Sequence, residues 1–203
     1  MRKFPKPVAT RLPIYLHILR SESASDSKYV SSASIAKAAG LGEVQVRKDL
    51  ALVSGSGKPK LGYIRLDLIN DLENCLDCAR EKTAVVIGAG KLGKALLSYE
   101  NFSEYNISVK AAFDVNEEKF TDDYHGKQIL SLDLLEEYCK AENVEIAIIT
   151  VPASAAQEVA DKLIGIGIRF IWSFAPTRLK VPKDVALKEE NIVASLAVLA
   201  ANI

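Results

Sequence analysis

Apolar positions along the chain fall into two regimes. Through about residue 80 they recur every three or four residues, the period of helices with one buried face. From residue 83 they gather into short continuous runs that alternate with helical stretches, the pattern of strands buried on both faces of a parallel sheet. In the first regime Leu12, Tyr15, Leu16 and Leu19 predict a helix over 11–21, capped by Thr10 and preceded by an extended lead-in at Pro5 and Pro7. Pro13 is tolerated because amides of the first helical turn have no intrahelical partner. A polar loop covers 21–30. Ser31 or Ser32 then caps a short helix holding Ile35, Ala36 and Ala39, which stops at Gly40, a residue that accepts positive φ. Beyond the Leu41-Gly42 turn, Val46 and Leu50 mark a helix over Glu43–Leu50 that leaves Gln45, Arg47, Lys48 and Asp49 for solvent or a ligand. Small Ala36, Gly40 and apolar Val46 have the spacing of a helix-turn-helix. The stretch Ser54–Gly62 is too rich in glycine for a helix, Tyr63–Leu66 reads as a short strand, and Asp67 caps a helix with Leu68, Ile69, Leu72 and Leu76 inward. Three helices followed by a basic hairpin predict a winged helix, with Lys58 and Lys60 at its tip placed for phosphate or minor-groove contact.

The second regime opens with an apolar strand, Thr83–Ile87, that runs directly into Gly88, Ala89, Gly90, Lys91, Leu92 and Gly93, then a helix over Lys94–Leu97 and a strand over Val109–Phe113 ending in Asp114. A lone GxGxxG is common by chance. Here a strand precedes it, a helix follows, and an acid stands 21 residues past the last glycine, the context of a dinucleotide-binding turn. In that reading Gly88 makes the turn, Gly90 admits the pyrophosphate, Gly93 lets the helix approach the strand, and the helix start receives phosphate charge. Asp114 accepts hydrogen bonds from the ribose hydroxyls and repels a 2′-phosphate, so NAD(H) is favoured over NADP(H). The alternation continues with a helix over 132–140, a strand Ile146–Val151, a helix capped by Ser154 with Gln157 three residues later, and a strand Phe170–Phe174. Thr150, Val151 and Pro152 end a strand on the ligand side and fall near the nicotinamide half, although a proline that merely terminates the strand fits equally well. The final stretch, Glu190–Ile203, is a helix apolar on most faces; it needs a partner surface, and insertion between two copies of the chain explains that better than docking on its own domain.

Composition sharpens this picture. With 203 residues, 49% of them hydrophobic and 26% charged, the chain is neither disordered nor collagen-like. Its 26 basic and 26 acidic residues cancel, but unevenly: residues 1–65 hold 12 basic against 4 acidic groups, so the N-terminal third suits a polyanion. No apolar run reaches the roughly 20 residues of a membrane span, and a cytoplasmic protein is expected. Cys75, Cys78 and Cys139 make no disulfide framework, and the Cys75-Leu-Asp-Cys78 pair lacks the second pair of ligands a zinc site needs, so no metal is expected. An NAD-dependent oxidoreductase is the main alternative. It would need a proton donor, yet the histidines are only His17 and His125, and no tyrosine is followed by lysine four residues later. A nucleotide-binding module whose basic head contacts protein is a third reading, separated by whether the head retards duplex DNA.

Several stretches together closely resemble the Rex family of redox-sensing transcriptional repressors. They are Ala9–Tyr15, Val30-Ser-Ser32, Gln45–Leu50, Gly62-Tyr63, Val86–Leu96, Phe113-Asp114, Thr150–Ala153 with Ala156-Gln157, and Phe174-Ala-Pro176, in collinear order over nearly the whole chain. The resemblance implies an α/β chain in three parts. A winged-helix DNA-binding head spans 1–80, a Rossmann-type doubly wound NAD(H)-binding domain spans 81–187, and an exchanged C-terminal helix, 188–203, joins a homodimer that leaves its operator when NADH binds. It adds Ser32 and Tyr63 to Gln45, Arg47, Lys48, Lys58 and Lys60 as DNA-binding residues. The chain departs from the family at His17, usually arginine, at Asn191, usually an acid, at Val53-Ser54, at Ser173 and in the wing. Replacement of a charged pair by His17 and Asn191 implies a weaker link from nucleotide to DNA, hence less complete release by NADH.

Overall fold

The computed structural model describes residues 4–21, 27–78 and 80–201. Within the predicted loop 21–30, residues 22–26 lie outside the described residues, as do Arg2, Lys3, Ala79 of the linker, and Asn202 and Ile203, where the sequence predicts the end of the terminal helix. The chain forms two compact units, 1–80 and 81–203.

In the first unit, helices α1 (Lys6–Ala9), α2 (Leu12–Arg20), α3 (Ser32–Ala39), α4 (Glu43–Ser54) and α5 (Arg65–Cys75) enclose one core, and the two-residue strands β1 (Tyr29–Val30) and β2 (Tyr63–Ile64) pair antiparallel. Leu12, Tyr15, Leu16, Ile35, Val46, Leu50, Leu68 and Leu72 are all buried, as their spacing predicts. Gly40 ends α3 with φ +64° and the Ser31 hydroxyl caps its start. Three expectations need correction. The lead-in is a helical turn rather than extended, because Pro5 precedes it and Pro7 occupies a first-turn position where no amide is required. Thr10 closes that turn by donating to the Pro7 carbonyl at 3.0 Å and does not cap α2, which starts after Arg11 without a side-chain cap. The expected strand Tyr63–Leu66 keeps two residues, and α5 begins at Arg65, whose guanidinium donates to the Leu19 carbonyl at 3.0 Å and closes the end of α2.

The second unit is a seven-stranded sheet flanked by helices on both faces. Its strands are β3 (Lys82–Ile87), β4 (Ile107–Asp114), β5 (Thr121–Tyr124), β6 (Lys127–Ser131), β7 (Ile146–Ile149), β8 (Phe170–Ser173) and β9 (Ala186–Glu189), with helices α6 (Lys91–Leu97), α7 (Leu135–Ala141), α8 (Ala153–Gly165) and α9 (Ile192–Ala201). The spatial order is β5-β6-β4-β3-β7-β8-β9. All pairs are parallel except β5 with β6, so the six parallel strands stand in the 3-2-1-4-5-6 order of doubly wound dinucleotide-binding sheets. Val85 and Ile87 enter the core beneath α7 and α8, whereas Ala84 and Val86 enter the one beneath α6; period-two alternation distributes one apolar run over two cores. The β5–β6 hairpin, turning at His125 and Gly126 with φ +55° and +76°, and β9 extend the sheet beyond the predicted strands. Because β9 runs to Glu189, the sheet crosses residue 187, where the sequence reading ends the nucleotide domain. Ser154 lies inside α8, which has no side-chain cap. Helix α9 buries none of its residues: Val193 is 77% and Leu196 65% exposed. The Asn191 amide oxygen caps it by accepting from the Ala194 N–H at 2.9 Å.

A nucleotide cleft and a candidate DNA-reading helix

The switch point of the sheet lies between β3 and β7, and at their C-terminal ends opens a cleft of about 850 Å³, within the usual range for cofactor sites. Gly88, Gly90, Asp114, Thr150, Val151 and Pro152 line it. The other predicted cofactor residues, Ala89, Lys91, Leu92 and Gly93, do not. The three glycines differ in what a side chain would meet. At Gly93 a Cβ would fall 1.8 Å from the Gly88 carbonyl oxygen and 2.8 Å from Thr150 Oγ1. Gly88 has φ +100° and faces Val151 and Thr150 at 3.0–3.1 Å. At Gly90 a Cβ meets nothing within 4 Å. Helix approach and backbone shape thus account for Gly93 and Gly88, but no part of the protein accounts for Gly90. The space beside it is what a pyrophosphate would fill, at the start of a helix with no side-chain cap. Thr150 ties the far wall to the turn, its hydroxyl 2.7 Å from the Gly88 carbonyl.

Asp114 ends β4 and is buried. Its Oδ2 accepts from the Ala89 N–H at 2.7 Å and from Lys119 Nζ at 2.8 Å, and Oδ1 from the Asn116 N–H at 2.9 Å. Burial alone would push this carboxyl up, but the Lys119 ammonium and the two amides outweigh it and hold the group below its ordinary value. It is therefore ionised, with acceptor capacity left on Oδ1 for a ribose hydroxyl. Sequence reasoning missed Lys119, five residues past the acid, and it missed Phe174 and Pro176, which wall the cleft beyond β8. The available signal for the latter was their place just past a strand end on the ligand side.

On the head, Gln45, Arg47 and Lys48 are exposed on α4, Lys58 and Lys60 are exposed in the wing, and Ser32 is half-buried at the start of α3. The wing is a tight hairpin: Lys58 and Gly62 exchange both backbone hydrogen bonds, at 2.7 and 2.9 Å. Gly62 has φ +82° and a Cβ there would sit 2.2 Å from the Val30 carbonyl, so the wing is fixed against β1. Two expectations are overturned. Tyr63 is 7% exposed and its hydroxyl reaches the Gly55 carbonyl at 3.3 Å; it supports the wing from inside and does not face a ligand. Asp49 is also buried, because helical period places it with Val46 and Val53. There Arg11 grips it with two hydrogen bonds of 2.7 and 2.9 Å and the Tyr15 hydroxyl donates a third at 2.7 Å. Burial would raise the Asp49 carboxyl, yet Arg11 and Tyr15 lower it further, while burial first and Asp49 second push the Tyr15 phenol up to about 12.

Among the described residues no group of histidine, cysteine and acid could hold a metal ion, and no helix is long and apolar enough to cross a membrane. Residues 3–51 match a family model described as putative DNA-binding protein N-terminus, and residues 79–177 one described as CoA binding domain. The redox-sensing transcriptional repressor Rex of Treponema denticola is 39% identical over 193 residues, which covers 95% of this chain and 92% of that protein. Rex of Bacillus subtilis is 35% identical over 194 residues, covering 96% and 89%. Among solved structures, RSP in complex with β-NAD+ and operator DNA matches with a TM-score of 0.92 at 30% identity, over 100% of this chain and 93% of that one. RSP with β-NADH matches at 0.86 and 30%, over 100% and 95%. A basic winged-helix head and a doubly wound nucleotide unit thus stand in one polypeptide, in the order and over the length of these relatives, and the chain belongs to the Rex family of redox-sensing transcriptional repressors.

Proposed function

We propose that this protein is an operator-binding repressor that reads the NADH/NAD+ ratio. The head, 1–80, holds duplex DNA, the unit from residue 81 binds NAD(H), and α9 joins two copies in a homodimer. The observation that carries the reading is Gly90, a glycine with open space at its Cβ position in the cleft that also presents Asp114. The β7–β8 side of the cleft, the nicotinamide side of such a sheet, is walled by Val151, Pro152, Phe174 and Pro176. An apolar wall favours the uncharged reduced ring, because burying the positive oxidised ring without a partner costs free energy. NADH is therefore the tighter ligand, and it releases DNA by binding the DNA-free state better than the DNA-bound one, as a ligand shifts an equilibrium only through its difference in affinity for the two states. Ten uncharged residues in α9, none of them buried, support assembly through that helix.

The direct test is binding to a palindromic operator with NADH or NAD+ present. Arg47→Ala or Lys48→Ala is expected to weaken binding by about 1–3 kcal/mol where a base contact is lost, or to lower the salt slope by about one where a phosphate contact is lost. Unchanged affinity and salt dependence in both variants would remove α4 from the DNA interface. Asp114→Ala is expected to weaken NADH by about tenfold or more and to erode its advantage over NADPH, since the repelling charge goes while Lys119 stays. Wild-type protein that prefers NADPH in calorimetry overturns this role.

A further inference from the structure

Gln157 is a helix residue with an unusual attachment. Its amide pairs with the Lys180 backbone in both directions, Oε1 accepting from the Lys180 N–H at 2.9 Å and Nε2 donating to the Lys180 carbonyl at 3.0 Å. The same Nε2 donates to Asp161 one turn on, at 2.9 Å, which fixes the orientation of the amide. A second tie lies next to the first: Glu189 Oε1, at the end of β9, accepts from the Leu179 N–H at 2.8 Å. A third stands where the segment leaves the sheet, with the Ala175 N–H 3.3 Å from the hydroxyl of buried Ser173. Between the ties runs an irregular strap, 174–180, carrying the two cleft residues Phe174 and Pro176. Phe174 also leans on Trp172, with ring centroids 4.5 Å apart. Phe174 itself is held by the sheet, its N–H donating to the Ile149 carbonyl at 2.8 Å; beyond it the strap has no ladder, and side chains from α8 and β9 supply the pairing for Leu179 and Lys180.

We propose that Gln157 and Glu189 are positioning residues for the nucleotide: they hold the far end of the strap so that Pro176 closes the nicotinamide end of the cleft beside the sheet-anchored Phe174. Neither residue lines the cleft. They act through the strap, and their effect falls on the part of the ligand that the strap covers. The inference rests on the NAD(H) reading above and adds to it which residues set affinity for the nicotinamide half.

The test compares NADH with ADP-ribose, which keeps adenosine and pyrophosphate but lacks the ring. In calorimetry on the full-length protein, Gln157→Ala is expected to weaken NADH about tenfold, the scale of a lost hydrogen-bonded tie, and to leave ADP-ribose within twofold. Gln157→Glu keeps the acceptor for the Lys180 N–H but turns a carboxylate oxygen toward the Lys180 carbonyl and Asp161, and it should weaken NADH at least as much as the alanine. Glu189→Ala should act in the same direction. Equal loss of both ligands, or a lower melting temperature with an unchanged NADH to ADP-ribose ratio, gives these residues a structural role alone and overturns the proposal while leaving the cofactor reading intact. Wild-type protein that binds neither ligand overturns both.

Discussion

Gly90→Val is expected to abolish NADH binding, by at least about a hundredfold, or ~2.7 kcal/mol, while costing the fold no more than about 1 kcal/mol. Gly90 has φ −75°, which valine adopts without strain, and its Cβ would meet no protein atom within 4 Å. The branched side chain instead fills the space the pyrophosphate needs. Gly93→Ala is the counterpart. There the added carbon falls 1.8 Å from the Gly88 carbonyl, so α6 must move off β3 and stability drops by about 1–3 kcal/mol or more, typical of overpacking. Calorimetry with NADH and thermal melting on both variants separate the two roles. A Gly90→Val protein that still binds NADH with wild-type affinity removes the pyrophosphate from this turn.

Asp49→Ala is expected to destabilise the head by about 3–5 kcal/mol, because it strands the Arg11 guanidinium and the buried Tyr15 hydroxyl around a vacated site. Asp49 has a side-chain exposure of 5% against 18% for Arg11, so water makes little restitution. The same pair sets an acid limit. Asp49 is held below its ordinary value in the folded chain. Its contribution is fully present above the unfolded value of about 3.9 and is lost as pH falls through the lower folded value. Urea unfolding followed by circular dichroism at neutral pH and near pH 3 should show wild type losing stability toward acid while Asp49→Ala loses less over that interval. Equal acid sensitivity in the two proteins would place the responsible carboxylate elsewhere. DNA affinity should fall with stability, since Asp49 fixes the back of the helix whose front carries Arg47 and Lys48.

The contrast between Asp49 and Arg47 shows how far sequence reaches. Helical period separates the faces of α4, and it places Asp49 with Val46, Leu50 and Val53; what it lacks is the partner, 38 residues away at Arg11. Without that partner an aspartate reads as solvent-facing. Tyr63 fails for a like reason, since its cavity and its Gly55 acceptor form only when the wing folds back on β1. Long-range sheet features divide the same way. β3, β4 and β7 are buried on both faces and announce themselves as apolar runs, whereas β5 and β9 lie at the edges, carry Asp122, Asp123, Lys188 and Glu189, and are specified by their neighbours. The glycine turn and Asp114 were legible because backbone geometry dictates residue type there. Lys119, Phe174 and Pro176 were not, because their roles depend on where a loop returns after the sheet is built.

Those two edges also govern what the protein does not join. A sheet edge offers unpaired N–H and C=O groups to any passing strand, and natural sheets blunt that hazard with short, charged edge strands. β5 and β9 have four residues each, and acidic groups stud one while charges of both signs mark the other. Neither offers a long apolar template, so further strands, from another copy or from a partly unfolded chain, gain little by adding there. The apolar surface of α9 meets no such guard. Strand addition is thereby disfavoured at both edges of the sheet, whereas α9 presents its apolar residues at the surface.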